Sequence, residues 1–198
     1  TFKSVARFQG HNDAFNYLSV LVSIILGLGI TQLLSALGRS LEYRDRDRLY
    51  WPSMAWFVVL LLAHIQTWWS FFGLYDHANW DFLQFVFVLL QPIGLYLLSV
   101  LTLPSPGADT TNLKTWYFAN RRVFFVLLMI FLLFSLMRDL VISGTLPEIK
   151  NLVFHLVFFL ASLAATLTPN ERFHKVMAVF AIGSFAAYIY FLFNQLAI

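Results

Sequence analysis

Val123-Phe124-Phe125-Val126-Leu127-Leu128-Met129-Ile130-Phe131-Leu132-Leu133-Phe134 is a run of twelve apolar residues with no polar alternation. A strand lining a membrane barrel alternates apolar and polar residues over about ten positions. A soluble core helix keeps one polar face. A run that is apolar all round and is extended by Leu136 and Met137 reads as a helix built to cross a bilayer, where every backbone polar group must bond within its own segment.

Working outward, five more runs reach the roughly 20 residues that a hydrocarbon core of about 30 Å requires. The six predicted spans are 15–38, 51–75, 82–103, 122–142, 149–168 and 175–195. Charge and turn residues separate them: Arg39 to Arg48, Asp76 to Asp81, Pro104-Ser105-Pro106-Gly107, Ser143-Gly144 and Pro169-Asn170. The first span runs into Arg39 and a charged loop, not a small-residue cleavage site, so it is read as retained. The fold class is all-α: one transmembrane domain over residues 1–198, a compact six-helix bundle with short loops. Apolar residues make up 60% of the chain and charged residues 12%, against about 25% charged in an ordinary soluble domain. The net charge of +3 comes from basic residues in short loops, which mark topology, so no nucleic-acid partner is expected. Nine Lys and Arg (Arg39, Arg44, Arg46, Arg48, Lys114, Arg121, Arg122, Arg172 and Lys175) fall on one side, and four (Lys3, Arg7, Arg138 and Lys150) on the other. The positive-inside rule then places both termini outside the cytoplasm, with a bacterial inner membrane as the expected location. Trp51, Trp56 and Trp116 are expected at one interface and Trp68, Trp69 and Trp80 at the other.

Ser19, Ser23, Gly27, Thr31 and Ser35 recur at every fourth position of the first span and form a ridge of small side chains. Such a ridge lets another helix approach closely, so this span is expected to be central or to form an oligomer seam. Ala161, Ser162, Ala165, Thr166, Gly183 and Ala187 of the last two spans are its expected partners. The second and fourth spans, rich in bulky side chains, are expected to face lipid.

Polar groups inside a membrane cost free energy and so mark candidate sites. Matching depths selects a midplane set, His64, Gln66, Gln91 and Ser184, and Gln32, deeper toward the cytoplasm, is expected to extend it as a polar path. Gly27, Gly29, Pro92 and Gly94 lie at similar depth, where interrupted helices hold substrates in transporters. His64, which titrates near neutrality, is the candidate for a proton-linked step. Toward the far surface, Arg138, Asp139 and His155 form a candidate outer gate, with Asp76, Asp81 or Glu148 as expected partners of Arg138, and His155 or His77 of Asp139. Asp76, His77 and Asp81 are weak metal-ligand candidates, and their spacing matches no metal motif. His64 and His155 differ in depth by about 7 Å, which disfavours a shared haem. With no cysteine, thiolate catalysis and cysteine-held clusters are excluded. No phosphate loop, zinc-protease helix or nucleophile elbow is present, so enzyme chemistry is not favoured. No cofactor is expected, and lipids are the expected partners. The reading these residues give is a small channel or transporter for an ion or small solute. The alternatives are an accessory or scaffold subunit of a membrane complex, and a membrane redox or metal-binding protein.

Overall fold

The computed structural model describes residues 2–42, 50–75, 80–104 and 112–192, with side chains described from Phe15 onward. Six helices follow one another: α1 (Phe2–Glu42), α2 (Trp51–Phe71, continued by a 3-10 turn Phe72–Leu74), α3 (Phe82–Thr102), α4 (Leu113–Ser143), α5 (Ile149–Leu167) and α6 (Glu171–Leu192). No strand occurs among the described residues. All six helices are long and apolar enough to cross a membrane.

Helix ends follow local capping chemistry more closely than hydropathy. Asp81 and Gln84 form a reciprocal capping box at the start of α3, at 2.7 and 3.3 Å. The Asn112 side chain accepts from the Lys114 and Thr115 amides, starting α4 nine residues before the predicted Arg122. The Asn170 side chain accepts from the Arg172 amide, so α6 begins at Glu171, a full turn before the predicted Lys175. Each of these two starts is polar, and an apolar-window reading assigned it to a loop. Gly144 closes α4 in the left-handed conformation, φ +66°, where a side chain would be strained. The predicted helix interruptions are absent: α1 is continuous through Gly27 and Gly29, and α3 through Pro92. A proline removes one backbone bond, which the flanking turns tolerate without opening the helix.

Neighbouring helices close a ring in the order α1, α3, α4, α5, α6, α2, with α2 also touching α3 and α4. One end, here the upper, carries Phe15, Phe71 and Gln84; the lower carries Tyr50, Leu101 and Thr168. Phe15 stacks on Phe71 at the upper end, and the Trp116 indole donates to the Leu101 carbonyl at the lower. The α2 helix touches α1, α3, α4 and α6, so it is more central than expected, while Val58, Leu62, Ile65, Trp68 and Trp69 keep one apolar face exposed. Trp56, expected at an interface, is buried against Phe124 and Phe125, whereas Trp51, Trp68 and Trp69 are exposed.

Helix α1 lies outside the ring's centre. It packs through Phe15, Leu18, Val22, Leu26, Gly29, Leu33 and Ala36 onto α3 and α2, not onto α5 and α6. Ser23, Gly27, Thr31 and Ser35 are exposed and Ser19 is half-buried. The small-residue ridge therefore points away from the bundle, and α1 is peripheral. Serine and threonine there satisfy themselves within the helix: Ser19 donates to the Asn16 carbonyl and Thr31 to the Gly27 carbonyl, both at 2.8 Å.

Candidate functional site

A cavity of about 90 Å³ opens between α2, α3, α4, α5 and α6. Each helix contributes a stripe at helical spacing: Trp56, Leu60, Ala63 and Thr67 from α2; Gln91, Leu95 and Leu98 from α3; Leu128, Leu132, Ser135 and Arg138 from α4; Asn151, His155 and Phe158 from α5. From Arg138 to Leu128 the stripe on α4 covers about 15 Å along the axis. Its upper part is polar, with Gln66, Thr67, Gln91, Ser135, Arg138, Asn151, His155 and Tyr188. Its lower part is aliphatic and aromatic, and ends on Trp56.

Arg138 donates from Nη1 to Gln91 Oε1 at 2.6 Å. This joins the candidate gate to the midplane set, and Arg138 has further contacts besides. Of the acids expected near it, Asp81 is engaged in capping α3 and Glu148 is exposed. An amide serves as acceptor here because α3 brings position 91 level with position 138. The His155 ring donates from Nδ1 to the Asn151 carbonyl at 2.9 Å, since a carbonyl only accepts. Its Nε2 is then left to accept from the Ser135 hydroxyl, at 3.3 Å.

Of the predicted midplane residues, Gln66 and Gln91 reach the cavity and the others do not. His64 is fully buried but turns toward α1. Its Nδ1 donates to the Leu60 carbonyl at 2.7 Å, and its Nε2 has no hydrogen-bond partner among the described residues. That nitrogen lies directly over Gly29, where a Cβ would overlap it. Gln32 sits on peripheral α1, and Ser184 is half-buried away from the cavity wall. Because His64 faces α1 and His155 the cavity, the two rings do not confront one another across a haem-sized space. Asp76 and His77 lie outside the described residues, as does the side chain of Asp139. Among the described residues no cluster of three metal-ligating side chains forms.

The lower end holds a second polar group that hydropathy concealed. Tyr117 lies 2.9 Å from His174 Nδ1, and His174 Nε2 lies 2.7 Å from the Thr168 carbonyl. The carbonyl fixes the proton on Nε2, so in the neutral ring Nδ1 accepts from the Tyr117 hydroxyl. Phe118, Phe125 and Phe173 surround the imidazole. Lys114 and Lys175 both pair with Glu171, at 2.5 and 2.9 Å. Tyr50, just before α2, is buried against Tyr117; burial, and secondarily the Glu171 charge, pushes its phenol up to about 12, so it stays a neutral donor. Tyr117 and His174 fell in predicted loops. The Asn112 and Asn170 caps were the sequence signal that could have brought them into helices.

No family model, curated protein or solved structure matches this chain. Six apolar helices are compatible with an integral membrane protein, and the chemistry of the cavity bears on the rest.

Proposed function

We propose that the chain is a membrane conduit that receives a small anionic solute in the cavity between α2 and α6. The observation that carries this reading is the charge of the wall: Arg138 is the one formally charged side chain among the described lining residues. The volume sets an upper size. An engineered apolar cavity of about 150 Å³ binds benzene, so about 90 Å³ suits a solute of roughly three to five heavy atoms. A polar upper wall and an apolar lower wall match a short monocarboxylate or an inorganic monoanion. The excess of basic residues near the lower end supports an orientation with the upper end outside the cytoplasm.

The chain contains no cysteine, so single cysteines can be introduced without background. In proteoliposomes, Ser135→Cys and Asn151→Cys should react with a membrane-impermeant thiol reagent added from the upper side. Formate, acetate or nitrate should cross faster than rubidium. Arg138→Gln should lower the anion flux ~10- to 100-fold, the equivalent of one hydrogen bond to a charged group. Unreactive cysteines at both positions, or anion flux indifferent to Arg138, would overturn the reading.

A second reading, an accessory subunit, is favoured by the exposed small-residue ridge of α1. A lone monomer in mild detergent would count against it, and a co-purifying helical subunit would count for it.

A further inference from the structure

Below the cavity lies a separate void of about 10 Å³, bounded by Ser53, Thr102, Tyr117, Asn120, Arg121 and Phe124 together with Trp56 and Leu101. Trp56 is the one residue that lines both spaces. We infer that Trp56 is the gate of a path that continues from the upper cavity into this lower void, where Arg121 forms a second station for the same class of small anion. The inference rests on the conduit reading.

Three observations meet here. The Trp56 ring is 2% exposed and wedged edge-on against Phe124 and Phe125, with centroids 5.1 and 5.4 Å away. It therefore fills the space that would otherwise join the two voids. Its indole N–H points at the Tyr117 hydroxyl, a polar contact that falls short of good hydrogen-bond geometry. Aromatic packing and this one weak contact hold the ring, so turning it aside frees a donor for whatever passes. On the far side, Ser53 Oγ and Arg121 Nε are buried without partners. Buried donors without partners are uncommon because each forfeits its hydration. Arg121 as a whole is half-buried and gives its Nη1 to the Phe118 carbonyl, so its Nε and the Ser53 hydroxyl are the buried donors, one tryptophan ring away from a cavity that carries Arg138. The void has room for about one water as it stands. A solute enters when the ring moves and the two spaces merge.

The path repeats one chemistry at two depths. Each station offers a guanidinium, a hydroxyl and an amide: Arg138, Ser135 and Gln91 above, Arg121, Ser53 and Asn120 below. No acidic side chain lines either among the described residues.

The test uses the reconstituted chain with one cysteine at a time, Ser135→Cys as the cavity reporter and Ser53→Cys as the reporter beyond the gate. An impermeant methanethiosulfonate is added from the upper side. Each reporter is combined with Trp56→Ala, with Trp56→Phe, and with Phe124→Ala, which leaves the indole in place but removes a ring it rests on. All proteins are first checked for a single symmetric elution peak. Ser135→Cys should react at a similar rate in every background. Ser53→Cys should react about tenfold faster or more in Trp56→Ala and in Phe124→Ala, because a closed gate is open in only ~0.1–10% of molecules. In Trp56→Phe it should stay slow. If Ser53→Cys stays equally slow in whichever of the two loosened variants folds, while Ser135→Cys reacts, the gate is wrong and the cavity reading stands. If Ser135→Cys is inert throughout, the cavity reading fails and the gate with it. If Phe124→Ala aggregates as well as Trp56→Ala, the ring is a structural keystone, and that result also overturns a movable gate.

Discussion

His155 and His174 are built from the same parts and placed in opposite surroundings. Each imidazole gives one N–H to a main-chain carbonyl, and each faces a hydroxyl with its other nitrogen: Ser135 for His155, Tyr117 for His174. The upper pair borders a cavity, with a long contact of 3.3 Å. The lower pair is sealed among phenyl rings, with a contact of 2.9 Å, and ties α4 to α6 and to the end of α5. A polar pair beside empty space can exchange its partner for a solute. The same pair with its imidazole packed among phenyl rings cannot, even though the Tyr117 ring borders the small lower void, and its contribution goes to stability. Residue type alone does not separate a site from a structural tie. What fills the neighbouring volume does.

The largest effect is expected where that volume is full. His174→Ala removes a ring in aromatic contact on several sides and leaves the Tyr117 hydroxyl and Thr168 carbonyl without their partner. A loss of ~3–5 kcal/mol is expected, in the range of truncating a large buried side chain. It should appear as a marked drop in the thermal midpoint in detergent. An unchanged midpoint would break the comparison, because it would mean that the lower end is as loosely packed as the upper.

Gly29→Ala comes next. Its methyl group would overlap His64 Nε2, and that ring is fully buried and fixed by its bond to Leu60. Helix α1 would have to back away from α2, at a cost of ~1–3 kcal/mol, as for other overpacked positions. The double variant Gly29→Ala with His64→Ala should recover part of this loss. Failure of that recovery would show that the glycine is needed for something other than the imidazole.

His155→Ala should affect stability much less. Its ring borders space on one side and its contact with Ser135 is long, so ~1 kcal/mol is expected. Anion flux through the cavity should fall more than stability does. If the midpoint falls as far as in His174→Ala, the cavity is closed in the working protein and the two histidines are equivalent.

Depth was legible in the sequence, and direction around the helix was not. The long apolar runs fixed which segments become helices, and matching distances from their ends put Gln66 and Gln91 at the level where both line the cavity. The same matching selected His64 and Ser184, which share that depth but point elsewhere. When a helix is apolar on all sides, no hydrophobic face marks which way a single polar residue turns. His64 shows the consequence: only its packing on Gly29 reveals that it faces α1. Trp56 shows the same loss in reverse, since an aromatic near a span's end reads as an interface anchor until Phe124 and Phe125 are seen around it. Tyr117 and His174 were hidden by a different cause. Capping by Asn112 and Asn170 extends α4 and α6 into segments too polar for a hydropathy window.

The smallest effect, and the one of opposite sign, belongs to the other face of α1. Gly27 is two residues from Gly29, yet a Cβ built there meets nothing within 4 Å. For the chain by itself, Gly27→Ala exchanges a flexible residue for the best helix former and should stabilise α1 by about 0.5–1 kcal/mol. For an assembly the sign reverses. If a second helix lies along Ser19, Ser23, Gly27, Thr31 and Ser35, added bulk at the middle of the ridge holds the two backbones apart. Gly27→Leu sharpens the contrast, because among the described residues nothing lies within 4 Å of a Cβ there and the position is exposed. The measurement is the mass of the detergent-solubilised protein alongside its thermal midpoint. A midpoint that holds or rises, with mass unchanged, leaves the ridge facing lipid. A midpoint that holds while an oligomer or a partner subunit is lost makes the ridge a seam, because folding and association then respond to the same methyl groups in opposite directions.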